Sequence, residues 1–308
     1  MKSEKLKEIF SKCSFEGEVK IMELMKNHTS LRIGGPADVF TIPQNMASIR
    51  DVIGILKERH IPFSPLGGGT NILVKDGGIE GVVISFRSFK RIEAIREEDK
   101  YVDLSVEAGT PLQGLVNFSK WNGYSGIEGL AGIPGSVGGA VCGNAGSFGY
   151  EIKDVLVSVA IMDAEGKLNI RRVEDLGFGY RKSNISQNEM IMSANIRLRK
   201  GKKEEVLATI EDFLKERRKR QPILEPSAGC VFKNPDGLSA GRLIDEAGCK
   251  GMRIGDVEVS NLHANFFINK GKAKASDFIR LMEEVAYRVK EKFGIVLEHE
   301  IRIIGRDA

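Results

Sequence analysis

Two glycine-dense stretches carry the first chemical signal in this 308-residue chain. In Leu66-Gly67-Gly68-Gly69-Thr70-Asn71-Ile72-Leu73, three consecutive glycines follow a predicted strand. With no side chains in the way, backbone N–H groups there can converge on an anion. The loop is not a dinucleotide fingerprint, because Ile72 stands where G-x-G-x-x-G needs its third glycine, and no Gly-Lys-Ser/Thr follows to make a Walker loop. Taken alone, it reads equally well as a tight turn. The second stretch is Gly132-Ile133-Pro134-Gly135-Ser136-Val137-Gly138-Gly139-Ala140, continued by Gly143-Asn144-Ala145-Gly146. Glycine recurs at 126, 129, 132, 135 and 138, but the run is too short and too poor in proline for collagen. Ile127, Leu130, Ile133 and Val137 interleave with it, which a solvated linker would not need. The expectation is a compact ligand-facing loop, or a short helix packed against something flat. Two such cradles suit a ligand with a pyrophosphate and a flat ring. Its expected contacts are Gly67, Gly68, Gly69, Thr70, Asn71 and Ile72, with Gly132, Ile133, Pro134, Gly135, Ser136, Gly139, Ala140, Asn144, Ala145 and Gly146.

The elements that must hold these loops follow from periodicity. Strands are predicted at 37–42, 63–66, 72–74 and 81–86. Residues 101–107 alternate, with Val102, Leu104 and Val106 on one face. Ile49, Val52, Ile53 and Leu56 set a helix over 47–59, and Pro111 opens another over 112–121. Strands return at 155–163 and 190–198, and a charged helix spans 202–220 until Pro222 and Pro226 end it. The last third predicts a helix at 240–247, a strand at 264–269 and a strand at 301–304. Between those two strands lies a long helix capped by Ser276, with Phe278, Leu281, Met282, Val285 and Val289 inward. Residues 1–30 read as a charged leader with little core of its own. The class is α+β.

Composition narrows the function. Hydrophobic content of 42% with 29% charged residues fits a globular protein. A formal net charge of +4 suits an anionic small ligand but is too weak for nucleic acid without a clustered basic face. No run is long and apolar enough to span a membrane, and no signal core opens the chain, so the expected location is the cytoplasm. Cys13, Cys142, Cys230 and Cys249 lack metal-ligand spacing, so no metal is expected. The cationic run Lys215-Glu216-Arg217-Arg218-Lys219-Arg220 could face a pyrophosphate or simply end a solvated helix at its favourable pole.

The paired loops resemble the FAD-binding domain of the UDP-N-acetylenolpyruvoylglucosamine reductases. Thr29-Ser30-Leu31-Arg32-Ile33-Gly34-Gly35-Pro36-Ala37 is similar to the segment that opens that domain, and the resemblance runs from about Asn27 to Gly305. It implies the FAD-binding fold of the vanillyl-alcohol oxidase type, built of two α/β subdomains, plus a separate α+β substrate-binding domain. The implied divisions are 1–90 and 91–200 for the FAD subdomains and 201–295 for the substrate domain. A C-terminal strand, 296–308, would return Glu300 to the active site. The implied activity is NADPH-dependent, FAD-mediated reduction of UDP-N-acetylenolpyruvoylglucosamine to UDP-N-acetylmuramate for peptidoglycan, with the FAD non-covalent. No nucleic acid, membrane or obligate protein partner is implied.

The same resemblance supplies the catalytic residues. Gly177-Phe178-Gly179-Tyr180-Arg181-Lys182-Ser183 looks like the family's tyrosine–arginine segment, and Pro226-Ser227-Ala228-Gly229-Cys230-Val231-Phe232-Lys233-Asn234-Pro235 like the proton-donor segment. Leu297-Glu298-His299-Glu300-Ile301-Arg302 looks like the segment with the catalytic glutamate. Arg181, Cys230 and Glu300 are thus the implied catalytic residues, with Tyr180, Lys233, Asn234 and Arg302 as substrate contacts. Cys230 departs from the serine typical of the family; a thiol is the stronger acid, with a reference pKa of about 8.5. The short interval between Arg181 and Cys230 resembles the subtype without a tyrosine-bearing insertion. Two rivals remain. A flavin oxidase of the same fold often tethers FAD through His or Cys, and residues 67–71 contain neither. A nucleotide or RNA binder would leave both cradles unexplained, and the chain has one tryptophan and no clustered aromatics to stack bases.

Overall fold

The computed structural model describes residues 15–308. Cys13 and the first part of the expected leader lie outside them. Within them the leader reading is corrected, because Gly17–Leu24 is a strand. Half of its residues are partly covered and the rest exposed, so it lacks the apolar alternation that would have announced it.

The chain forms two compact units, each discontinuous in sequence. One comprises residues 15–21, Val39–Gly68 and Gly81–Glu216; the other comprises Met22–Asp38, Gly69–Glu80 and Arg217–Ala308. The divisions expected near residues 90 and 200 fall inside the first unit, and the one near 295 inside the second.

The first unit is built on a six-stranded antiparallel sheet. Its order is Leu168–Arg172, Leu156–Met162, Met190–Lys200, Tyr101–Glu107 and Ile92–Glu97, with Tyr124–Ser125 on the far end of Met190–Lys200. The predicted alternation fixes the register: Val102, Leu104 and Val106 lie opposite Leu198, Ile196 and Ala194, and all six are fully buried. Leu112, Leu115 and Val116 of the helix Leu112–Asn122 close the same core. Each such side chain stabilises by roughly 1.5–3 kcal/mol relative to exposure. A second core in this unit lies under the helix Met46–Glu58, whose first turn is capped by Asn45 accepting the Ser48 N–H at 2.8 Å. Ile49, Val52, Ile53 and Leu56 pack there with Val39, Val82 and Ile84.

The second unit has a four-stranded antiparallel sheet ordered Ser227–Cys230, Phe266–Asn269, Val257–Val259 and Arg253–Ile254. The helix Ala275–Phe293 buries Phe278, Leu281, Met282, Val285 and Val289 as their spacing predicts. A separate parallel pair joins Ile72–Val74 to Arg302–Ile304. Among the described residues, no helix is long and apolar enough to cross a membrane.

The capping expectation at Ser276 is corrected. The helix starts at Ala275, so Ser276 already lies in its first turn, and the cap comes from Asp76. Its carboxylate accepts the N–H groups of Ala275 at 2.8 Å and Ser276 at 3.0 Å. A negative charge also suits the positive end of the helix dipole. Burial pushes the Asp76 carboxyl upward, but the hydrogen bonds from Ser276 and Ala275 outweigh it and hold the pKa below its ordinary value. The contribution is therefore complete above the unfolded carboxyl's value of about 3.9 and drains away as pH falls through the lower folded value. Asp76→Ala should cost about 1 kcal/mol of stability at neutral pH, in the range of lost helix caps. Urea unfolding at neutral pH and at pH well below the carboxylate range checks this; a difference between variant and parent that persists in acid contradicts it.

Candidate active site

In the first unit the two glycine stretches meet. Gly67 and Gly68 follow the strand Phe63–Leu66, which pairs in parallel with Ile79–Ser85. A Cβ on Gly68 would lie 2.7 Å from Gly135 Cα and 3.1 Å from Ser136 N, and one on Gly67 would collide with Ser136 Oγ. The loops touch backbone to backbone, which only glycine permits. Gly135 O and Thr110 O accept from Leu112 and Val137, which sets the second loop against the core. Ser136 then caps the short helix Val137–Cys142 by accepting the Gly139 N–H at 3.3 Å. The short-helix expectation therefore holds, and Gly138 packs on Ala108. Among the described residues, the N–H groups of Gly67, Gly68, Gly135 and Ser136 donate to no protein acceptor. Grouped N–H donors of this kind form an anion-binding concavity.

Other expected cradle members have structural duties. Gly132 N donates to Gln113 Oε1 at 2.9 Å, Ile133 N to Leu130 O, and Ala145 N to Ala140 O. Asn144 is fully buried and its side chain is spent within the protein. Gly69, Thr70, Asn71 and Ile72 belong to the second unit.

Arg181 also lies in the first unit, on the turn where Gly179 and Lys182 bridge. Its guanidinium donates through Nη2 to Gly146 O at 2.7 Å and through Nη1 to Asn144 O at 3.4 Å. The exposed Tyr180 ring lies 5.2 Å from it, a cation–π distance. Both of these acceptors are backbone carbonyls.

The second unit brings Cys230 and Glu300 together. Glu300 N donates to Val231 O at 2.8 Å, Lys233 N to Glu298 O at 2.8 Å, and Phe232 bridges His299. From the other side Asn71 holds the same segment: its Nδ2 donates to Glu300 O at 3.2 Å, and its carbonyl accepts from Arg302 N. Cys230 ends the strand Ser227–Cys230 just past a register shift, where Gly229 takes φ +78°. Such bulges re-aim the next side chain. Lys233 pairs with Glu298 at 3.1 Å, and Asn234 Oδ1 accepts Ala240 N at 3.0 Å, starting the helix Ala240–Glu246. The Arg302 side chain is exposed.

Arg217 was hidden in the sequence by the cations around it. It is only 7% exposed, and its Nη1 donates to Gln221 Oε1 at 3.0 Å. Burial lowers its pKa below the ordinary value. Only the proline-marked end of the helix hinted that the run does not simply fray into solvent.

Comparison with known proteins decides the family. A model of the C-terminal domain of UDP-N-acetylenolpyruvoylglucosamine reductase matches residues 221–304, and an FAD binding domain model matches residues 37–170. The chain is 42% identical over 292 residues to the UDP-N-acetylenolpyruvoylglucosamine reductase of Clostridium novyi (strain NT), covering 94% of each. The chain belongs to the UDP-N-acetylenolpyruvoylglucosamine reductase family. It is 40% identical to the relative from Geotalea uraniireducens (strain Rf4), over 96% of each chain. The crystal structure of the reductase from Thermus caldophilus superposes with a TM-score of 0.80 at 35% identity, over 94% of this chain and all of that one. A variant of the Physcomitrella patens BBE-like 1 protein reaches a TM-score of 0.50 at 14% identity, over 92% of this chain and 60% of that one, a likeness of fold alone. The fold is thus the FAD-binding type of the vanillyl-alcohol oxidases with a separate C-terminal domain.

The residues present fit FAD, the family's cofactor. A glycine-only backbone contact with four grouped N–H donors suits a diphosphate, and neither Cys nor His occurs among residues 67–71 to tether a ring. Gly68→Ala should therefore push the loops apart, lowering both the melting midpoint and the flavin content of the purified protein. Gly139→Ala, whose methyl would meet only Ser136 Oγ at 3.5 Å, should keep the parent's melting midpoint. Calorimetry and the visible spectrum check both; a fully yellow, fully stable Gly68→Ala protein contradicts the cradle.

Proposed function

We propose that this chain reduces the enolpyruvyl group of UDP-N-acetylenolpyruvoylglucosamine with NADPH and bound FAD, making UDP-N-acetylmuramate for peptidoglycan in the cytoplasm. The observation that carries the reading is the Val231–Glu300 backbone bond, which joins the segments of Cys230 and Glu300 within a chain of this family. The substrate double bond is an enol ether conjugated to a carboxylate, too electron-rich to accept hydride until charge is drawn into that carboxylate. Arg181 offers a planar fork for it, anchored by two backbone carbonyls. Glu300 in its protonated form donates a further hydrogen bond to the developing charge. When bound, the flavin supplies to the terminal carbon the hydride that NADPH has provided. Cys230 then gives its proton to the carbon that bears the carboxylate, completing the saturated lactyl ether. Tyr180, Lys233, Asn234 and Arg302 flank these residues in sequence and are the proposed substrate contacts.

The rival reading, an oxidase of the same fold, needs no NADPH. Substrate-dependent NADPH consumption by the yellow protein, with FAD released into the supernatant by acid, supports the reductase. Flavin that stays with the pellet, or turnover of an alcohol with oxygen and no NADPH, sinks it. Among variants, Arg181→Lys should keep FAD and lose most turnover, because a point charge does not replace the fork. Glu300→Gln should lose less than Glu300→Ala. Cys230→Ser should retain activity, whereas Cys230→Ala should fall by about a hundredfold or more. A Cys230→Ala enzyme with parental turnover would remove the thiol from the mechanism.

A further inference from the structure

Arg181, Asn144 and Phe148 share an unusual backbone state. They take φ of +54°, +42° and +53°, in the left-handed region that side chains rarely adopt. Asparagine tolerates it best of the three. Such residues persist where the surroundings over-determine them, and here the surroundings are one hydrogen-bonded network.

Asn144 is its hub. Its Nδ2 donates to Gly179 O at 3.1 Å and to Glu151 Oε2 at 3.1 Å, and its Oδ1 accepts Lys153 N at 3.4 Å. Its own carbonyl accepts from Arg181 Nη1. The second anchor of the guanidinium, Gly146 O, sits on the two-stranded hairpin in which Gly146 pairs with Glu151. Phe148 at the hairpin tip stacks on Phe213 at 4.6 Å, fixing it from outside. Both the backbone turn that carries Arg181 and the carbonyls that hold its guanidinium are therefore referenced to a single buried amide.

Glu151 gives that amide a second consequence. Lys153 Nζ lies 2.5 Å from its Oε2, and Asn144 donates to the same oxygen. Burial pushes the Glu151 carboxyl upward, but the hydrogen bonds from Lys153 and Asn144, with the Lys153 and Arg181 charges, hold it below its ordinary value.

We propose that Asn144 is the positioning residue of Arg181: its amide and carbonyl tie the Arg181 turn and guanidinium to the 146–151 hairpin. The proposal rests on Arg181 as the grip on the substrate carboxylate. It assigns the Asn144 side chain to the arginine rather than to FAD, so it concerns only the reaction with the enolpyruvyl substrate.

Two variants test it. Asn144→Gly keeps the backbone conformation and deletes the amide. Asn144→Asp keeps the shape but removes both donors and sets a carboxylate against Glu151. With FAD bound, each variant should be reduced by NADPH at the parental rate, while reoxidation of the reduced enzyme by the enolpyruvyl substrate slows by about a hundredfold. The flavin spectrum and content should match the parent's. Equal slowing of both half-reactions, or loss of flavin, would mean a cofactor or folding role and overturn the proposal, as would an unchanged reoxidation rate. A double-mutant cycle between Asn144→Gly and Arg181→Ala, read in urea unfolding, should be non-additive because the two residues share hydrogen bonds. Additivity there overturns the positioning role whatever Arg181 does. Coupling combined with normal reoxidation by Arg181→Lys would instead end the catalytic assignment of Arg181 and leave Asn144 as its anchor.

Discussion

The contact of Gly68 with the backbone of Gly135 and Ser136 is the constraint on which the first unit's chemistry depends. Two loops meet without a side chain between them, and among the described residues four of their N–H groups donate to no protein acceptor. Unpaired donors cost free energy unless something accepts from them. The surrounding core makes the arrangement affordable: Val137, Ala140 and Val141 pack with the fully buried strands, so the short helix cannot relax to satisfy those donors internally.

The second unit joins segments from distant points of the chain, those of Cys230 and Glu300. Val231 O and Asn71 hold the segment of Glu300 from two sides through main-chain atoms and one amide. These main-chain bonds fix where the Glu300 Cα stands. The bulge at Gly229 does the same for Cys230.

Much of this was legible in the sequence where local pattern and tertiary role agree. Val102, Leu104 and Val106 alternate because one sheet face is buried, and Phe278 through Val289 keep helical spacing because one helix face is. The glycine loops were legible because glycine is the one residue whose absence of a side chain is itself the signal. What escaped had its cause far along the chain. Asp76 caps a helix that begins 199 residues later, so no local capping pattern could reveal it, and Ser276 offered a plausible local substitute. Arg217 looked like one more solvated cation in a run of them, and burial of one member leaves no periodic trace. Asn144 sits in a glycine-rich loop that invites a cofactor role, while its partners Glu151 and Gly179 lie on two other turns. The strand Gly17–Leu24 failed for the opposite reason, since a partly exposed strand needs no apolar stripe.

The parallel pairing of Ile72–Val74 with Arg302–Ile304 has a consequence for how the molecule is made. Asn71 and Glu300, joined beside it, are 229 residues apart in the chain. During synthesis the earlier strand must wait for the later one to leave the ribosome before the two can pair. Closing so long a loop is entropically costly and comes late, and contacts of this kind slow folding. The pairing that sets the Glu300 segment beside Asn71 is thus among the last parts of the second unit to form, and the proposed chemistry waits on it.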